Sequence, residues 1–457
     1  MSGLCAEQLV SATGGRWLGT PPADIQGVGI DSRQPLQGML FAAIAGPRHD
    51  GHHHLEEAFG NGAVAAVVEQ EMPDASGPCL LVDDVRGALQ RAAVHHRATL
   101  RETVVIAITG SAGKTTTRRM LETVLAQQGP GSASVKSFNN DLGVPLTLLN
   151  AKTDDQWLLV EVGTNAPGEI HQLGQLVDPD IALITGIGSA HLEGLGDIHA
   201  VAKEKASLLG TLRAGGRGLI NTDRPEILPE VAGYAVPQTT YGARDGVDLQ
   251  LTSRRAQRGS QDIEVNGRFR ARVALPGVHN AINALGVYGV GRMLEMEEEA
   301  IAQGLARVEP APMRMERVEL GDMVVWNDAY NANPDSMAAA LDTFIEQEHG
   351  SGRLVAVLGA MLELGDQSDQ FHDEVGRTLA GLPIDHLIGI GSHGQRMVEA
   401  ARSAGFAGCL DVVADVEEKD GVAALCRPGD RVLLKGSRGV GLERVLVSLA
   451  HAREVPQ

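Results

Sequence analysis

A glycine-rich segment with a single lysine is the part of this sequence with the clearest chemical potential. Residues 109–117 read TGSAGKTTT and follow the apolar run VVIAIT, which predicts a buried strand. A strand, a glycine turn and a helix starting at Lys114 form the arrangement in which backbone N–H groups bind phosphate oxygens. Lys114 would contact the β- and γ-phosphates and Thr115 would bind Mg²⁺. The segment predicts a nucleotide-phosphate site that comprises Gly110, Ser111, Ala112, Gly113, Lys114, Thr115 and Thr116.

The same segment has one alternative explanation. The longer G-x-x-x-x-G-K-[ST] pattern lacks its first glycine, because position 108 is Ile. A structural glycine turn beside a chance lysine therefore remains the competing interpretation. A GTPase would also need Asn-Lys-x-Asp, and the nearest string, Ala151 to Asp154, has no Asn. The sequence favours ATP.

Glu161 is the first candidate metal ligand outside this segment. It ends the apolar strand WLLVEVG, one βα unit after the lysine. Phosphate-loop proteins place an acidic residue that faces the metal at this point, whereas an isolated Glu at a strand end is often only solvated. We expect Glu161 to bind Mg²⁺ together with Thr115.

Two further patterns have a structural explanation as well as a functional one. Residues 389–394 read GIGSHG, with Asp411 about twenty residues later, which resembles a dinucleotide site but is also what close strand–helix packing requires. We favour packing. His49, His52, His53 and His54 precede Glu56 and Glu57. Adjacent histidines point in different directions on a helix or strand, so a solvated helix start is favoured over a metal cluster.

The elements that must position these residues alternate along the chain. Strands and helices alternate from Val104 onward and again from Met323, which predicts parallel sheets with helices on both faces. The segment 247–275 breaks the alternation, and Asn266-Gly267 predicts a hairpin there. Glu309-Pro310-Ala311-Pro312 is typical of a linker. The expected fold class is α/β with three domains, at 1–83, 84–312 and 313–457.

Composition and charge restrict the class of protein. The 457 residues carry 39 Lys+Arg and 58 Asp+Glu, for a net charge of −19, which excludes nucleic acid as a main partner. The four cysteines are far apart in the sequence and form no CxxC pair. No apolar stretch approaches the roughly 18 residues of a membrane span, and the N-terminus lacks a signal-peptide pattern. We expect a cytoplasmic protein.

Several strings together resemble the Mur ligases, the ATP-dependent amide ligases of peptidoglycan precursor synthesis. They are TGSAGKTTT, VEVG, GSAHLEGLG, PGVHNAINA, PMRME and NDAYNANPDSM, in family order along the whole chain. The strings FNNDLGVPLTLLN, MLELGDQSDQFH and KGSRGVGLE resemble the branch that adds D-Ala-D-Ala to UDP-MurNAc-tripeptide. KGHE and DNPR, typical of the branch that adds the third residue, are absent. Met313 and Ala360 depart from the family pattern, which has glycine and an acidic residue there.

The resemblance implies a UDP-substrate-binding domain, a central ATP-binding domain and a Rossmann-like C-terminal αβα domain. It also implies roles for individual residues. The UDP-substrate would be bound by Asp31, Ser32, Arg33, Gly46, Asp50, Gly51, His52, Asn139 and Asn140. ATP would be bound by the phosphate segment and by Asn280, Asn283, Arg314 and Asp328. We further hypothesise that Asn331 and Asn333 line the dipeptide pocket and that Lys435 and Arg438 shape its far side. The alternative is that KGSR only ends the strand RVLLKGS and caps the following helix.

The implied chemistry passes through an acyl phosphate and needs ATP and two Mg²⁺ ions. Lys114, Glu161, His191 and Lys205 would be catalytic, and Thr115, Glu161, His191 and a carbamylated Lys205 would bind the metal ions. Without the family pattern, His191 would be an ordinary loop histidine and Lys205 an exposed helical lysine paired with a neighbouring Glu. Lys203 is expected to be the solvated lysine of the pair.

Three other interpretations remain at this point. A regulatory ATPase would hydrolyse ATP without a carboxylate or amine substrate. A single amino-acid-adding Mur ligase or an enzyme of the folylpolyglutamate synthase type would share the fold. The implied partners are small-molecule substrates only, and the chain is expected to be a monomer.

Overall fold

The computed structural model describes residues 4–47, 49–135, 137–418 and 421–454, which form three successive α/β domains. The first domain has a five-stranded sheet in the order β1-β5-β4-β3-β2, in which only β1 is antiparallel to its neighbour. Its elements are α1 (Ala6–Thr13), β1 (Arg16–Leu18), β2 (Val28–Gly29), β3 (Leu40–Ala42), α2 (Leu55–Gly60), β4 (Ala65–Val68), β5 (Cys79–Leu81) and α3 (Val85–Arg97).

The central domain is built on a nine-stranded sheet in the order β14-β13-β12-β11-β10-β9-β6-β8-β7. Its first elements are β6 (Val104–Thr109), α4 (Lys114–Leu125), β7 (Gly131–Ala133), α5 (Gly143–Leu149), β8 (Trp157–Glu161), α6 (Glu169–Val177), β9 (Ile181–Ile184), α7 (Leu192–Leu195) and α8 (Ile198–Ala206). They continue with β10 (Arg217–Asn221), α9 (Ile227–Val231), β11 (Gln238–Gly242), β12 (Leu249–Gln257), β13 (Ser260–Val265), β14 (Phe269–Val273), α10 (Val278–Met293) and α11 (Glu298–Leu305).

Both faces of the central sheet are covered, as alternate residues of β6 demonstrate. Val105 and Ala107 pack in one apolar cluster with α6, whereas Ile106 and Ile108 pack in another with α4 and α10. Because successive side chains of a strand point to opposite faces, a continuous apolar run is what a strand buried on both sides requires. The run VVIAIT therefore fixes β6 in the middle of the domain, directly before the phosphate segment.

The break in alternation at 247–275 is an antiparallel extension of this sheet. β12 pairs with β13 and β13 with β14, with Val265 opposite Phe269 across the turn. Asn266 and Gly267 have φ values of 52° and 67°, a conformation that Asn and Gly adopt most easily. The predicted hairpin is confirmed.

The C-terminal domain has a six-stranded sheet in the order β15-β16-β20-β17-β18-β19, parallel except for β15. Its elements are β15 (Glu316–Leu320), β16 (Met323–Asp328), α12 (Pro334–Glu348), β17 (Leu354–Leu358), α13 (Ser368–Leu379), β18 (His386–Ile390), α14 (Gly391–Ser403), β19 (Cys409–Val413), α15 (Gly421–Leu425), β20 (Arg431–Lys435) and α16 (Glu443–Glu454).

The expected fold class, three α/β domains with a parallel central sheet and a C-terminal αβα unit, is confirmed. The boundary predicted at residue 84 falls at the start of α3, which contacts α1 of the first domain and α5 and α6 of the central domain. Asp84 caps this helix by accepting the N–H groups of Arg86 and Gly87. Within the described ranges, no helix combines the length and apolar character of a membrane span.

Candidate active site

The phosphate segment forms the connection between β6 and α4 that the sequence predicted. Gly113 has a φ of 84°, and a Cβ atom there would lie 2.5 Å from Oδ1 of Asn283 on α10. The positive φ favours glycine here, and a larger residue would also displace the Asn283 amide. Lys114 Nζ donates to Gly110 O at 2.5 Å. Desolvation lowers the pKa of Lys114 to about 8, with Glu161 favouring and Arg314 opposing its charge.

Glu161 lies beside this segment because β8 is the parallel neighbour of β6. Its carboxylate is fully buried, with Oε2 accepting the Thr115 hydroxyl at 3.0 Å and Oε1 accepting Arg118 Nε at 2.7 Å. The alternative of a solvated strand end is wrong. Sequence reasoning missed Arg118, although its position one helical turn after Lys114 places it on the same side of α4.

Lys205 is completely buried on α8, and its Nζ has no hydrogen-bond partner among the described residues. Burial, reinforced by the charge of Lys114, lowers the pKa of this amine well below its usual value. Lys203 on the same helix is exposed. The alternative that Lys205 is an exposed helical lysine is wrong, and the prediction that Lys203 is the solvated one is confirmed.

His191 lies in a cleft of the central domain with Lys114, Asn139, Asn140 and Glu169. The cleft thus combines two predicted catalytic residues with two of those predicted for the UDP-substrate. Glu169 accepts the backbone N–H groups of residues 165 and 166. These bonds outweigh the desolvation that would raise its pKa, so the pKa of Glu169 is lowered. We infer that Glu169 is ionised and shapes the wall of the cleft.

Glu363 reaches His191 from the C-terminal domain. Its Oε2 lies 2.7 Å from His191 Nδ1, and this contact lowers the pKa of Glu363. The string MLELG contributed to the family resemblance, but its glutamate was not among the predicted site residues. Nothing in the string itself shows that its loop contacts the histidine of another domain.

The remaining residues predicted for the UDP-substrate lie in the first domain. The exposed guanidinium of Arg33 pairs with both carboxylate oxygens of Asp31, at 2.8 and 2.9 Å, and Ser32 donates to Glu57. Gly46 and Gly51 lie in the loop between β3 and α2, and Gly46 N donates to the backbone oxygen of residue 49. A Cβ at Gly51 would lie 2.7 Å from the backbone nitrogen of Ile44, two residues after β3.

His52 corrects one expectation. His53 and His54 are exposed at a helix start, as predicted, but His52 is buried. Its Nδ1 lies 2.6 Å from Asp50 Oδ1, and its Nε2 accepts the N–H of Glu69 at 3.0 Å. Both ring nitrogens have protein partners, so His52 serves the structure of the loop.

The predicted ATP residues come together in a cavity of about 280 Å³ between the central and C-terminal domains. The central domain contributes part of the phosphate segment, together with His279, Asn280 and Asn283, and the C-terminal domain contributes Arg314, Asp328 and Lys435. Lys435 Nζ lies 2.6 Å from Asp328 Oδ2, and Arg314 lies over the ring of Tyr330 at 4.3 Å. Desolvation lowers the pKa of His279 to about 4, so this ring is neutral at pH 7.

Three of the four residues predicted for the dipeptide pocket lie close together, because Lys435 Nζ donates to the backbone oxygen of Asn331 at 3.1 Å and Asn333 is two residues further on. Lys435 and Asn333 line the cavity just described, and Asn333 also caps α12 by accepting the N–H of Ser336. Asn331 is exposed and bonds to the next backbone N–H. Arg438 is half-exposed, 3.1 Å from Glu443 and 2.9 Å from Sδ of Met313, which has a left-handed φ of 57°.

The GIGSHG segment packs tightly between β18 and α14. A Cβ at Gly389 would lie 2.3 Å from the backbone oxygen of Gly394, and Gly391 has a φ of 68°. The geometry therefore assigns these glycines to close strand–helix packing, the interpretation favoured from the sequence.

Comparisons with known proteins agree with this arrangement. The Mur ligase family, catalytic domain, matches residues 24–97; the Mur ligase middle domain matches 108–291; and the Mur ligase, glutamate ligase domain, matches 313–438. A curated UDP-N-acetylmuramoyl-tripeptide–D-alanyl-D-alanine ligase of Bacillus subtilis (strain 168) is 33% identical over 438 residues, 93% of each chain.

Solved structures give the same result. A crystal structure of MurF from Acinetobacter baumannii superposes with a TM-score of 0.86, at 30% identity and 99% of both chains. MurF from Thermotoga maritima in complex with ADP superposes with a TM-score of 0.79, at 26% identity, 94% of this chain and 98% of that one. The chain belongs to the Mur ligase family of ATP-dependent amide ligases, as the three matched domains and the curated relative show.

Proposed function

We propose that this enzyme joins D-alanyl-D-alanine to UDP-MurNAc-tripeptide at the expense of ATP, a step in peptidoglycan precursor synthesis. One observation carries the proposal: Arg314 and Lys435 line the cavity between the two domains together with Gly113, and the next residue, Lys114, lines the cleft of His191. The identity of about 30% to dipeptide-adding ligases along nearly the whole chain supports the same substrates.

The reaction we propose has two steps. The terminal carboxylate of the tripeptide attacks the γ-phosphorus of ATP, ADP leaves, and an acyl phosphate forms. The amino group of D-Ala-D-Ala then attacks the acyl carbon, a proton leaves the nitrogen, and phosphate departs from the tetrahedral intermediate to leave the amide. Two anions must meet in the first step, so cationic groups must offset their repulsion. Lys114 stands where it can neutralise the phosphates.

We propose two magnesium ions, and the residues present fit the first of them. Thr115 and Glu161 offer hard oxygen ligands 3.0 Å apart, which suits Mg²⁺. His191 and Lys205 would hold the second ion, with Lys205 as its carbamate. Burial without a partner favours the neutral form of the Lys205 amine. The neutral nitrogen can attack the carbon of CO₂ and lose a proton, and the carbamate anion so formed would ligate a cation that an ammonium repels. When bound, the ions supply positive charge at the transferred phosphoryl group.

Binding at the far ends of the substrates is also proposed. Asn139 and Asn140 line the cleft beside Lys114, where the peptide end of the UDP-substrate must arrive. Asp31, Ser32, Arg33 and the loop from Gly46 to His52 would bind its nucleotide end in the first domain. Arg33 would have to exchange its bond with Asp31 for the diphosphate. We further propose that the enzyme is cytoplasmic, because its substrates are soluble nucleotides and peptides. We also propose that it acts as a monomer, because one chain lines both the cavity and the cleft.

Phosphate release from ATP tests the function directly. The ligase predicts negligible release until UDP-MurNAc-tripeptide and D-Ala-D-Ala are both present, with one phosphate per amide bond formed. A regulatory ATPase would release phosphate from ATP alone. Hydrolysis at an equal rate with and without the two substrates would rule out the ligase.

A further inference from the structure

The loop of residues 185–191, between β9 and α7, connects the phosphate segment to His191. Ser111 donates its hydroxyl hydrogen to Gly188 O and accepts the N–H of Gly188, both at 3.0 Å. The backbone N–H of Ser111 also donates to Gly186 O at 2.9 Å. The loop ends at His191, which has a left-handed φ of 58°. One short segment thus sets the relative position of the phosphate segment and the histidine.

Asp335 on α12 contacts the middle of this loop from the C-terminal domain. Its Oδ2 accepts the N–H of Ser189 at 2.7 Å, and a Cβ at Gly188 would lie 2.6 Å from the same oxygen. Its Oδ1 lies 2.5 Å from Nη2 of Arg224, in the segment that follows β10. A single carboxylate therefore joins α12 to two loops at the carboxyl end of the central sheet.

The start of α12 leaves this carboxylate available for the contact between domains. Asn333 accepts the N–H of Ser336, and the Ser336 hydroxyl accepts the N–H of Asn333, which together form a complete capping box. The capping box therefore does not use the carboxylate of Asp335. Asp335 lines the cavity between the domains, and its side chain is 32% exposed. Its carboxylate could therefore be hydrated, and it bonds to the two loops of the central domain instead.

We propose that Asp335 is a positioning residue that orders loop 185–191 when the C-terminal domain docks. The phosphate segment and His191 then reach their reactive arrangement only in the docked state. This inference rests on the proposed function and concerns the regulation of that same site. Asp335 acts through the backbone of Ser189. The benefit for a ligase is that ATP is attacked only when the C-terminal domain covers the site and protects the acyl phosphate from water.

Hydrogen–deuterium exchange of the full chain tests this inference without turnover. With Mg²⁺ and the non-hydrolysable analogue adenylyl imidodiphosphate bound, peptides that cover 185–191 should exchange roughly tenfold faster in Asp335→Ala, since a hydrogen bond to a charged acceptor is lost. The kcat of ligation should fall by about tenfold or more, with a smaller change in the KM for ATP. Asp335→Asn keeps an acceptor for Ser189 and should recover most of both losses.

Glu346→Gln is the matched control. Glu346 lies on the same helix and pairs with Arg254 of β12, at 3.0 and 3.1 Å, across the same two domains but away from the loop. It should leave exchange at 185–191 and kcat within about twofold of the wild type. Equal losses in Glu346→Gln and Asp335→Ala would overturn the inference, as would unchanged exchange at 185–191 in Asp335→Ala. Wild-type enzyme that does not ligate would instead overturn the proposed function.

Discussion

The charge of Lys114 is the property at the residue scale that responds most directly to pH. Its pKa is lowered to about 8, chiefly by desolvation, so in the free enzyme the ammonium is present below pH 8 and is lost as the pH rises through that value. We expect the KM for ATP to rise above about pH 8, while kcat at saturating ATP changes less because bound phosphates favour the charged form. Initial rates from about pH 7 to pH 9 measure this.

The variant Lys114→Ala removes the titrating group and serves as the control. Loss of one preorganised cation at a site of developing charge costs about 10²–10³ in rate. Its ATP KM should no longer depend on pH in this range. Its melting temperature should stay close to that of the wild type, because the half-buried side chain bonds to a backbone oxygen of its own segment, that of Gly110. A wild-type KM that stays constant through pH 9 would contradict the assignment.

Lys205 gives a second prediction at this scale. Lys205→Ala should abolish ligation and regain part of it with added acetate, because a small carboxylate can replace the carbamate as an anionic ligand. Lys203→Ala, an exposed neighbour on the same helix, should keep full activity. In the wild type, ¹³C-labelled bicarbonate should give a carbamate NMR signal that Lys205→Ala lacks. Full activity in Lys205→Ala would end the proposal.

At the scale of single elements, Asn333 at the start of α12 has a structural role that can be measured separately from substrate binding. Its amide caps the helix in a complete capping box. Asn333→Ala should therefore lower the free energy of unfolding by about 1 kcal/mol in urea denaturation. Asn331→Ala, two residues earlier and exposed, should change it by less than about 0.5 kcal/mol. Equal free energies of unfolding for Asn333→Ala and the wild type would contradict the capping role of Asn333.

At the scale of the whole molecule, ligases that share this fold differ in the length of the amine substrate that they accept. A dipeptide carries its carboxylate one residue further from the reacting nitrogen, so its anchor must lie further from the γ-phosphate. We expect Arg438→Ala to raise the KM for D-Ala-D-Ala strongly and to leave the ATP KM nearly unchanged, because Arg binds a carboxylate with two parallel bonds.

Two comparisons complete this prediction. Arg444→Ala removes another exposed arginine, which lies a few residues after Arg438 and pairs with Glu417. This variant should leave both KM values unchanged. Single D-Ala should be a poorer substrate than D-Ala-D-Ala for the wild type, because remote binding energy positions the amine. Equal use of the two by the wild type would remove the assignment to the dipeptide-adding branch.

The fold was largely predictable because its signals are local. The apolar run before Lys114, the Asn266-Gly267 turn and the alternation of strands and helices each depend on neighbours within a few residues. Glu161 was also predictable, since a strand paired with β6 ends beside the phosphate segment in any such parallel sheet. The partners that sequence reasoning missed, Arg118, Glu363 and Asp335, contact residues 43, 172 and 146 positions away.

The sequence by itself determined the α/β class, the phosphate segment and the family, because these follow from periodicity, from glycine and lysine spacing and from ordered strings. Only the tertiary structure decided that Lys205 is buried without a partner while Lys203 is exposed, and that His52 is bonded on both nitrogens. It also decided that Lys435 pairs with Asp328 whereas Arg438 pairs with Glu443. Burial and pairing depend on how distant elements pack, and residue type and spacing along one chain do not encode that packing locally.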